Sequence, residues 1–157
     1  MKRTTAVVFF FFSLMVMTGF ANICLVGTAR AAAPAVASVP GGEDEGMVDT
    51  AWFKKMIADI PANVAIVDVR SPAEFAGGHV KGAINLQAEI IFNEGGCQKM
   101  ISQLPRDKFV IFHCLGGSKS GGVYFELKES CEYSGIDKMF YLGAEISFND
   151  GKVSIEE

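Results

Sequence analysis

Phe109-Val-Ile-Phe-His-Cys-Leu-Gly-Gly-Ser-Lys-Ser-Gly-Gly122 is the stretch whose reading decides the fold. An apolar run of strand type leads to Cys114, small residues and one lysine follow at once, and an amphipathic helical pattern starts at Val123. A thiol between a strand end and a helix start lies where several backbone N–H groups can converge, which stabilises a thiolate and binds an anion beside it. Gly116, Gly117, Gly121 and Gly122 argue against a packed structural cysteine, because such freedom of backbone is rarely spent next to a core position. Cys114 is therefore read as a nucleophile, with Leu115, Gly116, Gly117, Ser118, Lys119 and Ser120 as its substrate-binding loop.

Outward from this stretch, strands and helices alternate. Val64–Val69 is a continuous apolar strand of the kind buried on both faces. Before it, Asp49 or Thr50 caps a helix over Ala51–Ile60 that places Trp52, Phe53, Met56, Ile57 and Ile60 on one face, and Met47-Val48 is a candidate edge strand. After it, Ser71-Pro-Ala-Glu74 carries a cap, a first-turn proline and a glutamate three residues past the cap, so a short helix runs to Gly77-Gly78. Ala83–Leu86 reads as a strand, Glu89–Gln103 as one or two helices broken at Gly95-Gly96, Phe109–Phe112 as the third buried strand and Val123 to Tyr133 as a helix. Met139–Leu142 is the last strand, with a loop or short helix from Gly143. The alternation implies an α/β fold with a central, largely parallel sheet flanked by helices on both faces, and active sites of such sheets lie beyond the carboxyl ends of strands.

The other charged constellation, Asp68, Arg70, Glu74 and His79, reads as an ion-pair network that gives structural support by tying a strand end to a short helix. In this reading Asp68 and Arg70 point to opposite faces if the strand continues, and Arg70 can reach Glu74 across the first helical turn. His113 neighbours Cys114 on a strand, so it faces away from the thiol and is read as a packed residue rather than a general base. Two histidines and no CxxC or HxxxH spacing leave no basis for a zinc site, and no cofactor is implied.

Lys2 and Arg3, the apolar stretch Ala6–Gly27 and Ala29-Arg30-Ala31 have the layout of a cleavable signal over residues 1–31, with an uncleaved N-terminal anchor as the alternative. Ile23 before Cys24 does not fit a lipoprotein cleavage box. Residues 32–46, rich in Pro, Gly and acids, read as a flexible linker, and residues 47–157 as one domain. Removing residues 1–31 takes away Lys2, Arg3 and Arg30, leaving 11 of the 14 basic residues against all 18 acidic ones, a charge of −7. No basic cluster survives, which excludes a nucleic-acid partner and long-range steering of anions. Cys97, Cys114 and Cys131 remain; either Cys97 and Cys131 pair and leave Cys114 free, or all three are free, or one resolves an oxidised Cys114. Export to a bacterial periplasm, or an anchor facing it, is the expected location.

Two separated motifs then resemble one family. Val67-Asp-Val-Arg-Ser-Pro-Ala-Glu-Phe75 with Gly78-His-Val-Lys-Gly-Ala-Ile-Asn-Leu86 is similar to the first signature of single-domain rhodaneses, and Phe112-His-Cys-Leu-Gly-Gly-Ser-Lys-Ser120 to their active-site loop. Leu142-Gly143 and Phe148–Gly151 resemble the closing segment. The resemblance implies that Cys114 takes a sulfane sulfur from thiosulfate, polysulfide or a persulfide and passes it to a thiol or cyanide-like acceptor, a thiol protein among them. Leu115 stands where a basic residue is frequent in the family, Lys119 where arginine is, and Phe148 where tryptophan is; the first two lower the positive charge at the mouth and disfavour thiosulfate. Related cysteine phosphatases and arsenate reductases place five residues between cysteine and arginine, whereas four separate Cys114 from Lys119. A non-catalytic redox or binding module is the third class considered.

Overall fold

Val64–Asp68 (β1) is buried at every position, as its unbroken apolar run requires, and it lies at the centre of the computed structural model. The structure describes residues 34–149 and 151–156. The apolar segment read as a signal or anchor, with Cys24, lies outside the described residues. Among the described residues no helix is long and apolar enough to cross a membrane.

The chain runs through helix α1 (Thr50–Met56), β1, α2 (Pro72–Gly77), β2 (Ile84–Asn85), a 3-10 turn at Ala88–Ile90, α3 (Gly96–Gln103), β3 (Phe109–His113) and α4 (Ser118–Phe125). A π-type turn at Glu126–Ser130, a second 3-10 turn at Ile136–Lys138, β4 (Met139–Tyr141) and the hairpin β5 (Glu145–Asn149) and β6 (Lys152–Glu156) complete it. Strands β2, β1, β3 and β4 form one parallel sheet in that order. The register sets Asp68 beside His113 and Val67 beside Phe112.

Both faces of the sheet are covered. Ala65, Val67, Val110, Phe112 and Cys114 pack with Met100 and Leu104 of the α3 region and with Val123, Tyr124 and Leu127. Val64, Ile66 and Ile111 pack on the other face with Phe53 and Met56 of α1, Val80, and Ile146 and Ile155 of the hairpin. Local signals place several elements. Asp49 caps α1 through the Trp52 N–H at 2.6 Å, and Ser71 with Glu74 closes a reciprocal capping box on α2.

Four expectations change. Helix α4 starts at Ser118, five residues before Val123, and runs through Gly121-Gly122. The glycines permit a close approach: a Cβ on Gly121 would stand 3.3 Å from the Tyr141 ring. The segment after Gly143 is the antiparallel hairpin β5–β6 rather than a loop or short helix, and Ile146 and Ile155 bury its inner face. Met47 and Val48 form only isolated bridges, to Tyr141 and Gly41. Finally, the stretch read as flexible linker is built into the domain from Val36. The Asn63 side chain binds the Val36 N–H and C=O at 2.9 and 2.7 Å, Val39 is buried, and the Asp49 N–H binds the Pro40 carbonyl. Backbone polar groups find partners there, which composition alone does not reveal.

Candidate active site

Cys114 follows the last residue of β3 and shares the face of Val110 and Phe112, so its side chain lies over the start of α4. It is 5% exposed, and it is the free cysteine among the described residues, because Cys97 and Cys131 form a disulfide. Arg70, Glu74, Cys114, Leu115, Gly116, Ser118 and Lys119 line a shallow cavity of about 170 Å³ at this end of the sheet. The thiol is thus a nearly covered atom at the floor of a small opening, while the sequence-read loop forms the wall.

The loop is bent into place at Gly117. Its φ is 82°, and a Cβ there would meet the Gly143 backbone at 2.7 Å, so any side chain is opposed by both strain and contact. The turn starts α4 at Ser118, four residues after the cysteine, and the first-turn N–H groups of the helix have no intrahelical acceptors. Ser120 is fully buried. Its hydroxyl is 2.8 Å from the Gly117 carbonyl, 3.1 Å from the Leu142 carbonyl and 3.6 Å from Cys114 Sγ. One hydroxyl proton serves one of these acceptors at a time, so Ser120 can hold the loop turn or turn its donor to the sulfur. Leu115 is 47% exposed at the rim, and its carbonyl accepts from the Ile146 N–H at 2.7 Å, which ties the loop to β5.

The two cations lining the cavity are both engaged. The Arg70 guanidinium forks onto Asp68, with Nε 3.0 and 3.1 Å from the two carboxylate oxygens and Nη2 2.6 Å from Oδ2. Nη2 also donates to the Gly78 carbonyl at 2.6 Å, and the group stacks 4.3 Å over the Phe148 ring. Lys119 Nζ lies 3.1 Å from Glu89 Oε1, with both side chains half exposed. That hydrogen bond is the main reason Lys119 is held above the ordinary lysine value, with smaller help from Glu74 and Cys114.

Asp68, Arg70, Glu74 and His79 do not form the single network read from the sequence. β1 ends at Asp68, and the chain bends so that the Arg70 N–H and guanidinium both donate to the Asp68 carboxylate; Arg70 binds Asp68 rather than Glu74. Glu74 instead accepts from the Ser71 N–H and hydroxyl, and these bonds pull its carboxyl below the usual range. His79 joins no ion pair: it is exposed, stacks on Phe75 at 3.9 Å and hydrogen-bonds the Phe75 carbonyl, away from the Cys114 cavity. His113 does face away from the thiol. It is fully buried beside Asp68, its Nε2 3.7 Å from Oδ2, and burial pushes its pKa down.

Two participants escaped the sequence reading. Glu89 pairs with Lys119 from 30 residues away, and Asn85 binds the carbonyls of Asp68 and Arg70 at 2.9 Å each, bracing the β1 end. Asn85 lies within the Gly78–Leu86 signature, whereas Glu89 carries no local signal beyond being polar. Among the described residues no group of three or more His, Cys, Asp or Glu could hold a metal ion.

A family model described as a rhodanese-like domain matches residues 49–151. The chain is 30% identical over 73 residues to a sulfurtransferase of Allochromatium vinosum, covering 46% of this chain and 62% of that one. It is 39% identical over 75 residues to the bovine M-phase inducer phosphatase 1, covering 46% of this chain and 14% of that one. A solved human single-domain sulfurtransferase matches with a TM-score of 0.45 at 19% identity, over 64% of this chain and 90% of that one. The chain spans less than two thirds of the length of the curated relatives it matches.

Proposed function

The chain belongs to the rhodanese-like domain family, and on that premise we propose that it is a sulfurtransferase working through a persulfide on Cys114. The observation that carries the proposal is the free Cys114 at the floor of a cavity walled by Leu115, Gly116, Ser118 and Lys119. The thiolate attacks the outer sulfur of a donor. The donor's S–S bond breaks, its electron pair leaves with sulfite or a thiolate, and a Cys114 persulfide remains. An acceptor thiolate or cyanide then attacks the terminal sulfur and releases the Cys114 thiolate, so charge and atoms balance at each step. Backbone N–H groups of the loop steady the anionic sulfur, Ser120 can add a donor, and the Asp68–Arg70 pair fixes the adjacent strand end.

The charge around the cavity supports donors other than thiosulfate as the better substrates. Arg70 is neutralised by Asp68, Lys119 by Glu89, and Leu115 adds none. Polysulfide or an organic persulfide places less charge against such a mouth than a dianion does. Export is part of the proposal, and the Cys97–Cys131 disulfide supports an oxidising compartment.

The similarity to a phosphatase favours a second reading, hydrolysis of a phosphate ester by Cys114. Against it stand the four residues between Cys114 and Lys119 and the absence of an arginine in the loop. Intact mass after incubation with thiosulfate or polysulfide, with cyanolysis of the loaded protein, tests the proposal. Wild type should gain one sulfur and lose it to cyanide, and Cys114→Ser should do neither while remaining folded. Hydrolysis of p-nitrophenyl phosphate without sulfur loading would favour the second reading, and neither activity would leave a binding module.

A further inference from the structure

Glu89 belongs to no motif, does not line the cavity and yet determines the charge that the cavity offers. It projects from the 3-10 turn Ala88–Ile90, a segment held by the Ala88 N–H on the Val69 carbonyl at 2.9 Å. From there its carboxylate holds Lys119 Nζ at 3.1 Å. Lys119 is the residue that reaches the cavity with a cation not already forked onto a buried carboxylate. Glu74, which also lines the cavity, adds a second negative charge that acts on Lys119.

We propose that Glu89 is a donor-selecting residue: by holding Lys119, it discriminates against dianionic sulfur donors in favour of donors of lower charge. The inference rests on the sulfurtransferase reading. A dianion entering the cavity meets a lysine whose charge is matched by Glu89, so it must draw Lys119 away or bind beside both. A monoanion suffers half the repulsion. The chemistry is otherwise the same for thiosulfate and an alkanethiosulfonate. In each, the Cys114 thiolate takes the outer sulfur, and the bond between the sulfurs breaks with its electron pair leaving on sulfite or on an alkanesulfinate. The two donors differ by one unit of charge at the leaving group and so report charge selection directly.

The test is kcat/KM for thiosulfate and for methanethiosulfonate in wild type, Glu89→Gln, Lys119→Gln and the double variant, at low and high salt. Because the pair is half exposed, one unit of charge there is worth a modest factor. Glu89→Gln should raise the thiosulfate-to-thiosulfonate ratio about three- to fivefold at low salt, with the gain shrinking at high salt. In the Lys119→Gln background the same change should gain less, because the released cation is gone. Melting temperatures establish that the variants fold. A change in the ratio of less than about twofold in Glu89→Gln, with sulfur transfer measurable, overturns the inference alone. A gain in Lys119→Gln as large as in wild type also overturns it, since Glu89 would then act without Lys119. Failure of wild type to form a Cys114 persulfide with either donor sinks the sulfurtransferase reading itself.

Discussion

Replacing Arg70 by alanine isolates the role of the cluster behind the nucleophile. Asp68 is fully buried and its carboxylate accepts three bonds from the guanidinium, besides one from the Arg70 N–H at 3.0 Å. Arg70→Ala leaves that charge in the interior with the backbone bond and a distant His113 for company. Removing one partner of a buried pair costs about 3–5 kcal/mol, mostly as the penalty on the stranded charge. Loss of the bond to the Gly78 carbonyl and of the stacking on Phe148 adds to this. A small domain has only about 5–15 kcal/mol of stability, and each kcal/mol shifts its melting temperature by several degrees. The expected drop is therefore more than about 10 °C. Thermal and urea unfolding followed by circular dichroism measure it. Arg70→Lys should recover part of the loss, since lysine supplies charge without the fork. Asp68→Asn with Arg70→Met should recover more than either single variant, because neither charge is then stranded. If Arg70→Ala melts within about 2 °C of wild type and loses only donor binding, the cluster is not structural and Arg70 acts on substrate.

The other predictions concern charge, acid and redox. Leu115→Arg should raise kcat/KM for thiosulfate several-fold at low salt and progressively less as salt rises; an unchanged value at low salt would show that loop geometry, not charge, selects the donor. His113 has a folded-state pKa depressed by burial, so its contribution to stability is present above about pH 6.5 and is lost as pH falls through the lower folded value. Urea midpoints should fall between about pH 7 and pH 5, and His113→Gln should flatten that fall; equal slopes would assign the acid sensitivity elsewhere. Replacing Cys97 and Cys131 together by serine removes a crosslink across 34 residues and should cost about 3–4 kcal/mol on the chain-entropy estimate. Persulfide formation on Cys114 should persist in that variant, and its loss would show that the disulfide takes part in the reaction.

Sequence by itself determined those features whose cause is local. Val64–Val67 and Phe109–Phe112 are continuous apolar runs, and burial on both faces follows from their composition. The Ser71–Glu74 capping box is written within one turn. The position of Cys114 at a strand end among glycines follows from residues beside it, and so does the orientation of His113 away from it, by alternation. The Asp68–Arg70 pair was not legible from alternation, because the strand ends at Asp68 and the pair forms across the bend that follows it; within a continuing strand a spacing of two would have put both on one face.

The tertiary structure alone decided what depends on distant partners. Gly121-Gly122 looks like a helix breaker in sequence, yet α4 runs from Ser118 through both, with the Tyr141 ring close against Gly121. The final hairpin is set by Ile146 and Ile155 finding the core beside α1, and residues 36–46 are ordered by Asn63 and Tyr141 rather than by their own composition. Glu89 meets Lys119 because the chain after β2 returns over α4, a contact between residues 30 apart that neither neighbourhood encodes. Local propensity acts through a residue's own backbone and nearest turn, whereas the charge presented at the Cys114 cavity is a sum over side chains that only chain packing brings together.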